Sequence, residues 1–173
     1  MAESEILRDK LILAVDDEED VLETIREELS DYPGVKLHTA TTFEKGREYI
    51  VSFTYDLVIL DIMGVRGFDL LRIAANQKMP VVMLTAHALS PEALKESIEK
   101  GARAYLPKDK LGSLAPFLED VLKLNYQSVW KKAFDQVAVL FDKKFGSTWR
   151  KSEEEFWGDF EKKLSMEEAV IIK

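Results

Sequence analysis

The sequence predicts an α/β fold: a doubly wound sheet of five parallel strands over residues 1–124, carrying a helical extension over residues 125–173. Three observations point there. Short apolar runs alternate with longer amphipathic segments up to residue 124. The runs are mostly aliphatic or β-branched, as strands buried on both faces should be. Helix-stop and helix-start residues fall between them.

The first run, Lys10 to Val15, ends on Asp16 and Asp17 and leads into a helix that Tyr32-Pro33-Gly34 breaks. The second is Val35 to Thr39. The third, Leu57 to Leu60, ends on Asp61, and the fourth, Val81 to Leu84, ends on Thr85. Ser90-Pro91 followed by Glu92 reads as a cap with proline at the first helical position, and Gly101 closes that helix. The fifth run, Ala102 to Leu106, has Lys108 shortly beyond it. A sheet of this kind opens its functional crevice at the carboxyl ends of the strands.

A chain of 173 residues accommodates one domain of ordinary size and an appendage. Hydrophobic residues at 46% beside 32% charged residues allow a core without metal or disulfide staples. The lack of cysteine excludes disulfides, thiolate zinc sites and thiol catalysis. The start, MAESEILRDK, is charged and precedes only the short apolar run Leu11 to Val15, so neither a signal peptide nor a membrane span is read and a cytoplasmic location is expected. The net charge of −8 repels polyanions, and the extension balances nine basic against nine acidic residues. No nucleic-acid partner is expected from it.

The strand ends gather Asp16, Asp17, Asp61, Thr85 and Lys108. Three carboxylates at one end of a sheet repel one another unless a cation sits among them, and Mg²⁺ suits a small set of carboxylate and carbonyl oxygens. A carboxylate can attack phosphorus if charge on the transferred group is neutralised. Asp61 stands alone on its apolar strand and is placed for that attack, whereas the adjacent Asp16 and Asp17 suit a metal. A hydroxyl and an ammonium at neighbouring strand ends would bind phosphoryl oxygens.

The segments LILAVDDEEDVLETI, DLVILDIM, VVMLTA and ARAYLPK resemble the receiver domain of bacterial response regulators in two-component systems. The resemblance implies a flavodoxin-like strand order 2-1-3-4-5. It implies that Asp61 is the phosphoacceptor, that Asp16, Asp17, Asp61 and the backbone carbonyl of Met63 hold Mg²⁺, and that Thr85 and Lys108 respond to the phosphoryl group. Tyr105 takes the position of the aromatic that rotates inward when the Thr moves. The switch is then a shift of the surface formed by the fourth helix, fifth strand and fifth helix. The partners implied are a sensor histidine kinase and a downstream protein; the chain itself is read as a phosphoacceptor with slow autodephosphorylation, not as an enzyme. Two departures from the family pattern stand out. The loop Asp61-Ile62-Met63-Gly64-Val65-Arg66-Gly67-Phe68 lacks the usual proline, and Asp109 follows Lys108 where proline is common.

Of the two histidines, His38 reads as a surface or edge residue, and His87, two residues after Thr85, could line the mouth of the site. Bland alternatives stand beside the functional ones: acids at a strand end also cap helices, and Tyr105 could be an ordinary packed strand aromatic.

Beyond Ser113-Leu114-Ala115-Pro116, apolar residues recur at Phe117, Val121, Leu124, Trp130, Phe134, Val137 and Phe141. This reads as one helix running on to Phe145, some 30 residues or about 45 Å long, stopped by Gly146. Ser152 with Glu155 reads as a capping box opening a second helix with Phe156, Trp157, Phe160 and Leu164 on one side. The pair is expected to form an antiparallel hairpin. Its aromatics, with Trp149 between the helices, need cover from each other, from the receiver, or from a partner such as a second copy in a homodimer. A helix-turn-helix output unit would need a third helix and a basic face. The expected function is signalling through protein contacts, without DNA binding. Its rivals are a degenerate receiver serving as a dimerisation scaffold and a Mg²⁺-dependent aspartyl-phosphate phosphatase, which would need an acid where Met63 stands.

Overall fold

The computed structural model describes residues 5–86 and 90–172, with 166–172 described by backbone alone. Its strands are β1 (Leu11–Val15), β2 (Lys36–Ala40), β3 (Leu57–Asp61), β4 (Val81–Thr85) and β5 (Ala104–Pro107). They form one sheet in the order β2-β1-β3-β4-β5, every neighbouring pair parallel. Between them run α1 (Glu19–Leu29), α2 (Phe43–Ser52), α3 (Gly67–Asn76) and α4 (Pro91–Glu99), followed by a 3-10 turn over Lys108–Ser113 and then α5 (Leu114–Lys123). The chain ends in α6 (Tyr126–Phe145), a second 3-10 turn over Trp149–Glu153, and α7 (Glu154–Ile172).

The strand order and the two-sided cover agree with the sequence reading. β3 and β4 are buried at every position, because apolar side chains on both faces leave no face that can meet water. One face carries Ile12, Ala14, Ile59 and Leu84 against α1 and α5. The other carries Leu13, Val58, Leu60 and Met83 against α2, α3 and α4. Helix starts are set locally: the Thr42 hydroxyl accepts from Lys45 N and the Ser90 hydroxyl from Ala93 N, with Pro91 next in line. Gly101 closes α4 at φ +97°, a conformation that glycine adopts at little cost.

The expected single long helix is corrected by the structure. Leu124 is extended (ψ 160°), and the Asn125 side chain accepts from Ser128 N to start a new helix. That side chain supplies one partner that continuing the helix would have supplied, so the break is inexpensive. What it gains is direction: α6 turns back along β5, and the Trp130 indole donates to the carbonyl of Ala102 at 3.1 Å. The capping box is corrected too, since Ser152 lies within the 3-10 turn and α7 begins at Glu154.

The hairpin itself forms. Ring contacts pair Trp130 with Phe160, Phe134 with Trp157 and Phe141 with Trp149, so partner numbers fall along α7 and back into the 3-10 turn before it as they rise along α6, the signature of antiparallel helices. Trp130, Phe134, Phe141, Trp149, Trp157 and Phe160 are buried and join the same apolar cluster as Tyr105 and Ala102. The pair therefore packs on the five-stranded domain, covering β5, which would otherwise present an open sheet edge. The premise for a homodimer, uncovered aromatic faces, does not hold for these side chains.

Candidate functional site

The carboxyl ends of β1, β3 and β4 bring Asp16, Asp17, Asp61 and Thr85 to one end of the sheet, as parallel strands in register must. Asp16, Asp17 and Asp61 each offer a carboxylate oxygen, all within 4.8 Å of one another. Asp16 and Asp61 are buried, and Asp17 lies at the open side. Asp16 Oδ1 accepts from Glu18 N at 2.8 Å, a local turn ahead of α1, whose N-cap residue Glu18 makes no side-chain cap hydrogen bond. Its other oxygen, Oδ2, faces Lys108.

Lys108 reaches into this acid cluster from just beyond β5. Its Nζ lies 2.7 Å from Glu18 Oε1, 2.9 Å from Asp16 Oδ2 and 3.2 Å from Asp61 Oδ1. Its best-aligned hydrogen bond goes to Glu18. Burial alone would lower the pKa of this ammonium, but hydrogen bonds to Glu18 and Asp16 and the charges of Asp16 and Asp61 push it up. One ammonium meets three carboxylates and Asp17 adds a fourth to the cluster, so the site as a whole remains negative. A hard divalent cation fits that donor set, and the residues that would hold it are Asp16, Asp17 and Asp61.

Burial, with the neighbouring Asp16 charge adding to it, pushes the Asp61 carboxyl up to about 6, although Lys108 works against the rise. Asp16 is raised as well, again chiefly by burial. Thr85 is 1% exposed, and its hydroxyl makes no hydrogen bond of standard geometry among the described residues. The same holds for the Tyr105 hydroxyl, which lies close to Thr85 and to the Ser90 backbone. Two buried hydroxyls thus stand side by side at the end of β4.

The proline-free loop after Asp61 is held by glycine packing. A Cβ at Gly67 would overlap the Asp61 carbonyl oxygen, and one at Gly64 would overlap the Asp17 carboxylate. Gly67 N donates to Ile62 O at 3.1 Å, and the Arg66 guanidinium lies 4.0 Å over the Phe43 ring. Met63 rides on this loop with its side chain 56% exposed. His87 falls outside the described residues. His38 sits at the middle of the edge strand β2, in register with Leu13, its Nδ1 2.7 Å from the Tyr55 hydroxyl, and is not among the residues that gather with the acids.

Sequence reasoning missed Glu18. The acid run Asp16-Asp17-Glu18 contained the signal, but only the fold shows that the third acid turns toward a lysine 90 positions away.

The response regulator receiver domain family model matches residues 12–115. A transcriptional regulatory protein, DltR of Streptococcus agalactiae serotype III (strain NEM316), is 33% identical over 101 residues, 56% of this chain and 44% of that protein. The match thus spans under half the length of that curated relative. Among solved structures, the chemotaxis response regulator CheY4 of Vibrio cholerae is 27% identical with a TM-score of 0.58, covering 65% of this chain and 98% of that one. A two-component response regulator from Clostridium difficile, 24% identical, matches the fold with a TM-score of 0.60 over 66% of this chain and 97% of that one.

Proposed function

The chain belongs to the response-regulator receiver family, and from that premise we propose that Asp61 accepts a phosphoryl group from a histidine kinase and that the chain passes the resulting state on through protein contacts. The observation that carries this reading is the convergence of Asp16, Asp17 and Asp61 with Lys108 reaching in among them, and the buried Thr85 hydroxyl at the next strand end. Receiver domains are phosphorylated by histidine kinases, and each part needed for that chemistry has a residue here.

Asp61 is the nucleophile. A carboxylate oxygen attacks phosphorus, the bond from phosphorus to the kinase imidazole nitrogen breaks, and the electron pair leaves with the imidazole. The burial that chiefly raises its pKa also strips water from the carboxylate, so its charge is available to an electrophile. Asp16, Asp17 and Asp61, with the Met63 carbonyl assigned by resemblance, would hold Mg²⁺, whose chemistry is to neutralise charge on the phosphoryl oxygens. The Lys108 ammonium, already 3.2 Å from Asp61, is positioned to pair with one such oxygen, and the Thr85 hydroxyl to donate to another. Slow hydrolysis of the acyl phosphate then resets the site.

The balanced charge of residues 125–173 favours a protein rather than a nucleic acid as the downstream partner. Among the described residues no helix is long and apolar enough to cross a membrane. The test is incubation with acetyl phosphate and Mg²⁺ followed by intact-mass measurement. One phosphoryl adduct is expected, absent from Asp61→Asn; a natively folded protein that gains none at high donor concentration would overturn the reading.

A further inference from the structure

All three tryptophans of the chain, Trp130, Trp149 and Trp157, lie in the C-terminal helical pair and its turn, and all are buried. The pair is fixed to three receiver elements. Trp130 donates to Ala102 O just before β5. Lys95 of α4 meets Glu153 at 2.8 Å and lies over the Phe156 ring. Lys132 of α6 meets Asp120 of α5 at 3.0 Å.

These elements make up the surface that would display the phosphorylation state. We propose that the C-terminal helical pair is the resident occupant of that surface, and that its docking and phosphorylation of Asp61 favour each other through Tyr105. The inference rests on the phosphorylation reading above.

The direction of the coupling follows from where Tyr105 lies. It is 1% exposed, within the apolar cluster that α6 closes from outside, and its hydroxyl lies close to Thr85. An outward swing of the ring needs the space that the docked helices fill. A phosphoryl oxygen that accepts from Thr85 draws this hydroxyl toward Asp61 and leaves room that an inward Tyr105 occupies. Docking and phosphorylation thus select the same Tyr105 position, and two events that bias one element must favour each other by the same factor. A partner that reads α4, β5 and α5 directly has to displace the pair. While it is docked, the surface presented there is that of α6 and α7.

The placement of the tryptophans supplies a native probe, used on the full chain. Beryllofluoride with Mg²⁺ serves as the phosphoryl mimic, and intact mass after acetyl phosphate reports the adduct separately. Hydrogen exchange across residues 126–165 is expected to slow by about 5- to 100-fold on saturation with beryllofluoride, with the tryptophan emission staying that of buried indoles. Trp130→Phe, which removes the donor to Ala102 O but keeps a ring, is expected to weaken apparent beryllofluoride affinity by about 3- to 10-fold. Glu153→Gln, at a more exposed site with no role in the core, should weaken it by about 2-fold. An adduct that forms while exchange over 126–165 stays unchanged or becomes faster overturns this inference alone, as do unaltered affinities in both variants. Absence of any adduct overturns the phosphorylation reading and this inference with it.

Discussion

At Asp61 the fold works against the charge that the proposed chemistry needs. Burial first, then the Asp16 charge, raises this carboxyl from 3.8 to about 6, with Lys108 offsetting part of the rise. A carboxyl whose folded pKa exceeds its unfolded one binds its proton more tightly when folded. Its contribution to stability is therefore full below about pH 4 and is lost as the pH rises through about 6. Asp61→Asn has no charge to bury and escapes that loss. In metal-free protein it is expected to gain on the order of 2 kcal/mol of stability at about pH 7.5, and much less at about pH 4.5, read as urea midpoints in chelator. Equal gains at both pH values would mean that buried charge is not what destabilises the site. Added Mg²⁺ should then stabilise the natural protein and leave the variant nearly unmoved.

Glu18 is the residue whose role the fold rather than the sequence discloses. It holds the shortest contact to Lys108 and half of its side chain is in water, so it is a rim charge competing with an incoming anion for the same ammonium. Glu18→Gln is expected to speed labelling by acetyl phosphate about 2- to 5-fold, more at low ionic strength than at high. Time courses of intact mass at two salt concentrations check this, and a slower rate would mean that Glu18 holds Lys108 in its working place. Asp16, Asp17, Asp61, Thr85 and Lys108 could be singled out from sequence because each ends or closely follows an apolar run. Glu18 could not, because its place is fixed by a long side chain reaching across the site.

On the scale of elements, the β3–α3 loop shows how a departure from a familiar pattern is accommodated. In place of the proline that the family resemblance leads one to expect, this chain packs two glycines, Gly64 against Asp17 and Gly67 against the Asp61 carbonyl. Gly67→Ala is expected to push the loop off β3 and cost about 1–3 kcal/mol, measured by urea unfolding. Because the loop carries Met63, the variant should also lose Mg²⁺ affinity, which titration can read. Unchanged stability would show that the loop has slack to spare. The helix break at Leu124 illustrates the opposite limit of sequence reading. Apolar spacing continues across Leu124 and Trp130 closely enough to suggest one helix, and Asn125 is an ordinary cap residue that could as well sit within one. What decides is tertiary: only a chain that turns there can bring Trp130 to Ala102.

For the whole molecule, the consequence is that the receiver and the C-terminal helices share one apolar cluster. Sequence periodicity identified the aromatic faces of those helices but not what covers them, because cover depends on the direction in which α6 leaves α5. Since Trp130 and Phe134 fill the space over β5, removing residues 125–173 should uncover Ala102 and Tyr105 and reopen the sheet edge. A fragment of residues 1–124 is expected to keep the parallel sheet but lose at least about 3 kcal/mol, the usual cost of deleting one buried large aromatic. It should also bind a dye for exposed apolar surface and scatter light as a species larger than a monomer at tens of micromolar. The full chain at the same concentration supplies the comparison. If the fragment matches it in urea midpoint and in size, the helices add nothing to the receiver's stability, and their packing over β5 is too weak to act as structural cover.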